Sequence, residues 1–223
     1  MDESLDEELN HPTMNSISSL LIKAVKKQKD KEMAKNIWAA SPWKDVATLE
    51  NNNVGLVGED FISQICAQVG IASAIDGSKT KELGGGAGDG TVRGRTVEIK
   101  TARQGTGSGK TFQHELGEKP WLAEFMMFVD ITPENFFLTV FENFTEAEYK
   151  ARTKCKRVFT TRSVTWRKKS GAFKLDASVA LNKAMSGAGG NTLCWSPDTT
   201  DDEVKQFLDR HIKEKVVESA PAA

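Results

Sequence analysis

The fold is read from Gly88-Asp89-Gly90-Thr91-Val92-Arg93-Gly94-Arg95-Thr96-Val97-Glu98-Ile99-Lys100. The pattern is a short strand, a tight turn at Arg93-Gly94 and a second strand. Side chains along a strand point alternately to opposite faces, so Val97 and Ile99 share one face and Glu98 and Lys100 the other. The apolar pair anchors the strand to a core, while a carboxylate and an ammonium stand side by side on the far side. Across the hairpin, Asp89 brings a second carboxylate toward the first. Two acids and a lysine converging at a strand end suit metal-assisted attack on a phosphodiester. On alternation alone, the same residues also read as a surface hairpin with a weak Glu–Lys pair.

The totals bound the other classes. At 223 residues, with 39% hydrophobic and 27% charged residues, the chain fits one sizeable domain with a core of its own. No apolar run approaches the ~20 residues that span a bilayer, so no membrane partner is expected. The first eight residues, Met1-Asp2-Glu3-Ser4-Leu5-Asp6-Glu7-Glu8, lack the apolar stretch of a signal peptide. Cys66, Cys155 and Cys194 are widely spaced and odd in number. They give neither a disulfide framework nor a zinc site, and a cytoplasmic location is expected. The net charge of −1 hides an asymmetry: residues 149–174 carry ten Lys and Arg and no acid. Local sign governs contact with a polyanion.

Asp89, a short hairpin and Glu98-Ile99-Lys100 resemble the signature of the PD-(D/E)xK nuclease superfamily, the restriction-endonuclease-like fold. Gly88 stands where that signature has proline. The resemblance implies that Asp89 and Glu98, with the carbonyl of Ile99, hold a Mg²⁺ ion, and that Lys100 orients water or stabilises transition-state charge. Gly55-Leu56-Val57-Gly58-Glu59 opens an apolar helical stripe of Phe61, Ile62, Ile65, Cys66 and Val69. Taken alone, Glu59 complements the helix dipole; many members of the family place an additional catalytic Glu on such a helix. Thr111-Phe112-Gln113-His114, followed by the apolar Phe125–Val129, is similar to the family's segment after Glu-x-Lys, which implies Gln113 near the scissile phosphate or a base edge. A backbone hydrogen bond within the loop accounts for Gln113 equally well.

The expected fold class is α/β. A restriction-endonuclease-like core has a central mixed sheet flanked by helices, with an N-terminal helix and a basic C-terminal hairpin. The chain divides into a flexible acidic tail over 1–14, an N-terminal helical segment over 15–48 and a nuclease core over 49–145. A basic, DNA-contacting part of the same domain follows over 146–215, then a frayed tail over 216–223. The helix of the second segment runs from Asn15 or Ser16 to Lys35. Asn51-Asn52-Asn53 reads as a loop, and helix-favouring residues occupy 145–152. Strands are expected over 124–131, 135–141, 157–161 and 163–167, with Lys168-Lys169-Ser170-Gly171 as a turn into 172–175. Arg103, Gln113, Arg162, Arg167, Lys168 and Lys169 are the candidate DNA contacts, since a basic hairpin fits a groove. Lysines that protect an exposed strand edge are the alternative. Thr200-Asp201-Asp202-Glu203 is a capping box for a last helix, whose apolar face includes His211.

The combined expectation is a Mg²⁺-dependent endonuclease on double-stranded DNA, of type II restriction kind, acting as a homodimer without a nucleotide cofactor. Three alternatives stay open: a nicking enzyme related to the mismatch-repair endonuclease, a non-catalytic DNA-binding module on the same fold, and a P-loop nucleotide hydrolase. The last rests on Gly109-Lys110-Thr111, but Gln104 stands where the motif needs glycine.

Overall fold

The computed structural model describes residues 16–75, 87–105, 110–117, 121–145, 156–164 and 167–215, with 156–174 and 176 described by their backbone. The expected tails over 1–14 and 216–223, and the helix-favouring stretch after Thr145, lie outside these residues.

The sheet is built outward from the Arg93-Gly94 turn. Both residues are left-handed, Arg93 at φ 54° and Gly94 at φ 72°, the twist that closes a two-residue hairpin. Strand β2 (Gly90–Val92) therefore returns directly as β3 (Arg95–Arg103), with Val92 opposite Arg95 and Gly90 opposite Val97. β1 (Ser73–Ile75) adds antiparallel to β2. On the other side β3 runs parallel to β5 (Phe125–Ile131), followed by β6 (Phe136–Glu142) and β9 (Thr192–Trp195), each antiparallel to its neighbour. The result is a mixed six-stranded sheet in the order β1-β2-β3-β5-β6-β9.

Period two then sorts the core into two layers. Val97, Ile99, Met127, Val129, Leu138 and Val140 face one way and pack under helices. These are α2 (Asn51–Gln68), through Ile62, Ile65 and Cys66, and α4 (Asp201–His211), through Val204, Phe207 and Leu208. Gly58 brings α2 against β3, because a Cβ there would meet Thr101 Oγ1 at 1.7 Å. Burial pushes the Cys66 thiol up to about 11, so it stays a protonated core group at neutral pH. Asn51–Asn53, expected as a loop, form the first turn of α2. N–H groups in that turn have no intrahelical partner in any case, which polar side chains tolerate.

The opposite face, with Ala102, Met126, Phe128, Phe137 and Phe141, packs on a second sheet through Phe112, Leu116, Leu175 and Ala177. This sheet is antiparallel, in the order β4-β8-β7, from β4 (Thr111–Gly117), β7 (Lys156–Val164) and β8 (Arg167–Ser178). β7 ends at Val164 and β8 begins at Arg167, so Lys168-Lys169-Ser170-Gly171 lies within a strand and not in the expected turn. A short helix, α3 (Val179–Met185), follows β8 with its cap on Ser178. The segment after Gly109-Lys110 is β4, whereas a phosphate-binding loop needs a helix N-terminus there.

Helix α1 (Ser16–Ala34) precedes this body. Among the described residues, no helix is long and apolar enough to cross a membrane. The capping box at Thr200 is formed, with Thr200 Oγ1 accepting from the Glu203 N–H at 3.3 Å and Glu203 Oε2 accepting from the Thr200 N–H at 2.8 Å. His211 serves structure: its Nε2 lies 3.0 Å from the Gly190 carbonyl, and its ring lies against Phe207. Burial holds its imidazole below the usual value.

Candidate active site

The β2–β3 hairpin sets Asp89 against the backbone of β3 because β2 stops short. Gly90 is the last β2 residue paired with β3, opposite Val97. The chain before it stays against β3, with the Asp89 N–H donating to the Val97 carbonyl at 2.8 Å. Gly88 makes that approach possible, since a Cβ at this position would lie 2.2 Å from the same carbonyl oxygen. Glycine in place of the signature's proline therefore has a steric cause here.

Past Gly90, the ladder is continued by a side chain. Asp89 Oδ2 accepts the Ile99 N–H at 2.7 Å, and Asp89 itself is only 8% exposed. The buried carboxylate is thus fixed to the backbone of the residue between Glu98 and Lys100. In an antiparallel ladder, every second residue of a strand turns its N–H and C=O to the same neighbour. Val97 C=O and Ile99 N–H both point toward β2, so the Ile99 carbonyl opens to the edge where Asp89 lies.

Glu98 and Lys100 are on the second-sheet face of β3, where their parallel neighbours are Met126 and Phe128. Lys100 Nζ contacts Glu98 Oε1 in a close ion pair, with the two side chains 21% and 12% exposed. Partial burial makes this pair stronger than its solvated equivalent. Among the described residues, no group of three or more His, Cys, Asp or Glu side chains gathers to hold a metal ion. The oxygen groups of this hairpin are the Asp89 carboxylate, held on the Ile99 N–H, the Glu98 carboxylate on the neighbouring residue, and the Ile99 carbonyl. Hard oxygen donors of this kind fit magnesium, which takes one or two carboxylates and completes its shell with phosphate and water.

The other expected site residues are distributed by the same alternation. Glu59 is half-buried on α2, and α2 covers the Val97–Ile99 face, opposite Glu98 and Lys100. Arg103, three residues beyond Lys100, also turns to the helical face. Its Nη1 donates to the carbonyls of Val46 and Leu49, each at 2.6 Å, which ties the turn over 44–49 to β3. This replaces the expected DNA contact with a structural one. Gln113 is exposed, on the outer face of β4, because Phe112, His114 and Leu116 point inward. It is therefore turned away from Glu98 and Lys100. Arg162 lies in β7, and Arg167, Lys168 and Lys169 in β8; their side chains lie outside what is described.

Backbone topology relates that basic hairpin to the acids. β4 starts at the Arg103 end of the main sheet, where the Gly105 N–H bonds the Thr111 carbonyl. It runs to Gly117, after which the chain enters β5 at Phe125, the partner of Val97. β8 pairs with β4 only as far as Phe173 opposite Gly117. Residues 167–172 of β8 and their β7 partners thus continue past the end of β4, toward the Glu98 end of the sheet.

Sequence reasoning missed a second polar group. His114 Nε2 and Asp130 Oδ1 lie 2.6 Å apart in the layer between the sheets, with side chains 0% and 1% exposed. Asn182 Nδ2 donates to the other Asp130 oxygen at 2.7 Å. The signal was an aspartate inside the apolar run Phe125–Ile131, since a buried acid requires partners.

Comparison with protein-family models, curated proteins and solved structures finds no match to this chain.

Proposed function

We propose that the protein is a Mg²⁺-dependent endonuclease hydrolysing phosphodiester bonds in double-stranded DNA, of type II restriction kind. The observation that carries this reading is the Asp89 carboxylate held on the Ile99 N–H beside the Glu98–Lys100 pair. The bond to the Ile99 N–H steadies the hairpin, and it also fixes beforehand a carboxylate that a site for a hard cation needs held in place. When bound, the ion would supply charge neutralisation at the phosphate and a lowered pKa for water.

The chain's own groups have distinct tasks. Asp89, Glu98 and the Ile99 carbonyl would supply the oxygen donors for the ion. Lys100, with three N–H donors, holds the attacking water or the phosphoryl oxygens as negative charge builds. Water oxygen bonds to phosphorus and releases a proton to solvent, one ester P–O bond breaks, and the departing oxygen takes up a proton from solvent. The basic β7–β8 overhang, on the Glu98 side of the sheet, supplies attraction for the polyanion.

Purified protein incubated with supercoiled plasmid and a long mixed-sequence DNA, with and without Mg²⁺, tests the reading. Cleavage to discrete fragments only with Mg²⁺ is expected. Open circles alone mean a nicking enzyme, and a smear means cleavage without sequence preference. Binding without cleavage at any divalent ion concentration would make the fold a DNA-binding module and reject the proposal.

A further inference from the structure

The most conspicuous unused surface is α1. Ile17, Leu20, Leu21, Val25 and Met33 are between 59% and 75% exposed. The first four recur at helical spacing on one face, and an apolar stripe of this kind normally packs on something. The body carries a matching hollow of about 330 Å³ whose lining includes Trp43, Val46, Leu49, Val57, Phe61 and Phe136. Leu56 and Val57 beside it are 42% and 39% exposed.

Charge complements shape. α1 carries Lys23, Lys26, Lys27, Lys29 and Lys31, all exposed, against Asp30 and Glu32. Asp45 lines the hollow, and Glu50, Asp60 and Glu134 are exposed next to its lining segments. Among the described residues, Lys44 adjoins the lining residue Trp43, and Arg103 is already bonded to the carbonyls of Val46 and Leu49.

We propose that α1 of one copy lays its Ile17–Leu20–Leu21–Val25 stripe in the hollow of a second copy, reciprocally, to form a homodimer. The occupant is a second copy because α1 is held away from its own body. Three residues, 35–37, join it to Trp38, which is 1% exposed. The N–H groups of Lys35 and Asn36 bond the carbonyls of Glu32 and Met33, and the Trp38 N–H donates to Asn36 Oδ1 at 2.9 Å. Folding α1 back would break this turn, whereas a second molecule approaches the stripe with the turn intact. A reciprocal exchange closes as a two-fold pair and leaves no free stripe for further growth. The surface is independent of the nuclease reading, and its test does not involve DNA.

Sedimentation of the full chain from about 1 to 100 µM reads the result. Wild type is expected to be a dimer. Leu20→Glu/Leu21→Glu on α1, and separately Val57→Glu or Leu56→Glu at the hollow, are each expected to weaken association at least about tenfold, with unchanged circular dichroism. Leu122→Glu, at a residue 64% exposed elsewhere, serves as the control and is expected to leave the dimer intact. Mixing the α1 variant with the Val57 variant is expected to restore association, because one intact stripe then meets one intact hollow. A wild type that stays monomeric overturns the proposal. So does a dimer lost with the α1 variant but kept by both hollow variants, since that pattern means stripe-to-stripe pairing. Failure of the mixture to associate overturns it as well.

Discussion

Lys100→Ala is expected to slow Mg²⁺-dependent DNA cleavage by about 10²–10³, the usual cost of removing one preorganised charge at a phosphoryl centre. Affinity for DNA is expected to change little, because attraction is spread over the ten bases of residues 149–174. Asp89 needs a more careful substitution. Asp89→Ala removes a charge and also the acceptor of the Ile99 N–H, so lost activity would not distinguish chemistry from a loosened hairpin. Asp89→Asn keeps an oxygen for that bond and removes the charge. The expected result for Asp89→Asn is a loss of cleavage similar to that of Lys100→Ala, with the thermal midpoint nearly unchanged. Single-turnover rates on a plasmid substrate give the comparison. Wild-type rates in both variants would remove the site from the mechanism.

The second large effect concerns stability. Asp130→Ala is expected to cost on the order of 2–6 kcal/mol, because it leaves two buried partners without their acceptor at about 1–3 kcal/mol each. Both Asp130 oxygens are engaged, one with His114 of β4 and one with Asn182 of α3. The carboxylate therefore joins the main sheet, the second sheet and a helix at one point. Its removal leaves the imidazole and the amide buried without it, and neither can be resolvated. Urea denaturation measures the change. A cost below about 1 kcal/mol would place the link between the sheets in their apolar contacts alone. Since β8 of the basic β7–β8 hairpin is paired to β4, loosening this link is also expected to lower the affinity for DNA.

The parts of the fold legible in sequence were those in which local chemistry and tertiary pairing agree. Arg93-Gly94 between alternating strands specified the hairpin, and its register then fixed which face receives Glu98 and which receives Ile99. The capping box at Thr200 and the apolar runs of β5 and β6 were legible for the same reason. The second sheet was not. Lys168-Lys169-Ser170-Gly171 has the composition of a turn, yet Gly171 pairs with Thr161 and Ser170 with Arg162. Ladder bonds outweighed a weak local preference. Arg103 was misassigned for a different cause. Its charge suggested DNA, while its odd position on β3 sends it to the helical face, where backbone carbonyls of the turn over 44–49 await a donor. Period two, applied as strictly to Arg103 and Gln113 as to Val97 and Ile99, would have separated both from Lys100. The same rule does not reach α2, because which face of a sheet a helix covers is decided by packing between distant segments.

Anomalous diffraction from crystals of the protein soaked in Mn²⁺ decides whether these side chains form one site. The expected result is an ion with oxygens of both Asp89 and Glu98 about 2.1 Å away, the Ile99 carbonyl at its third corner and Lys100 alongside. Manganese bound elsewhere, with Asp89 and Glu98 turned to separate surroundings, would contradict it.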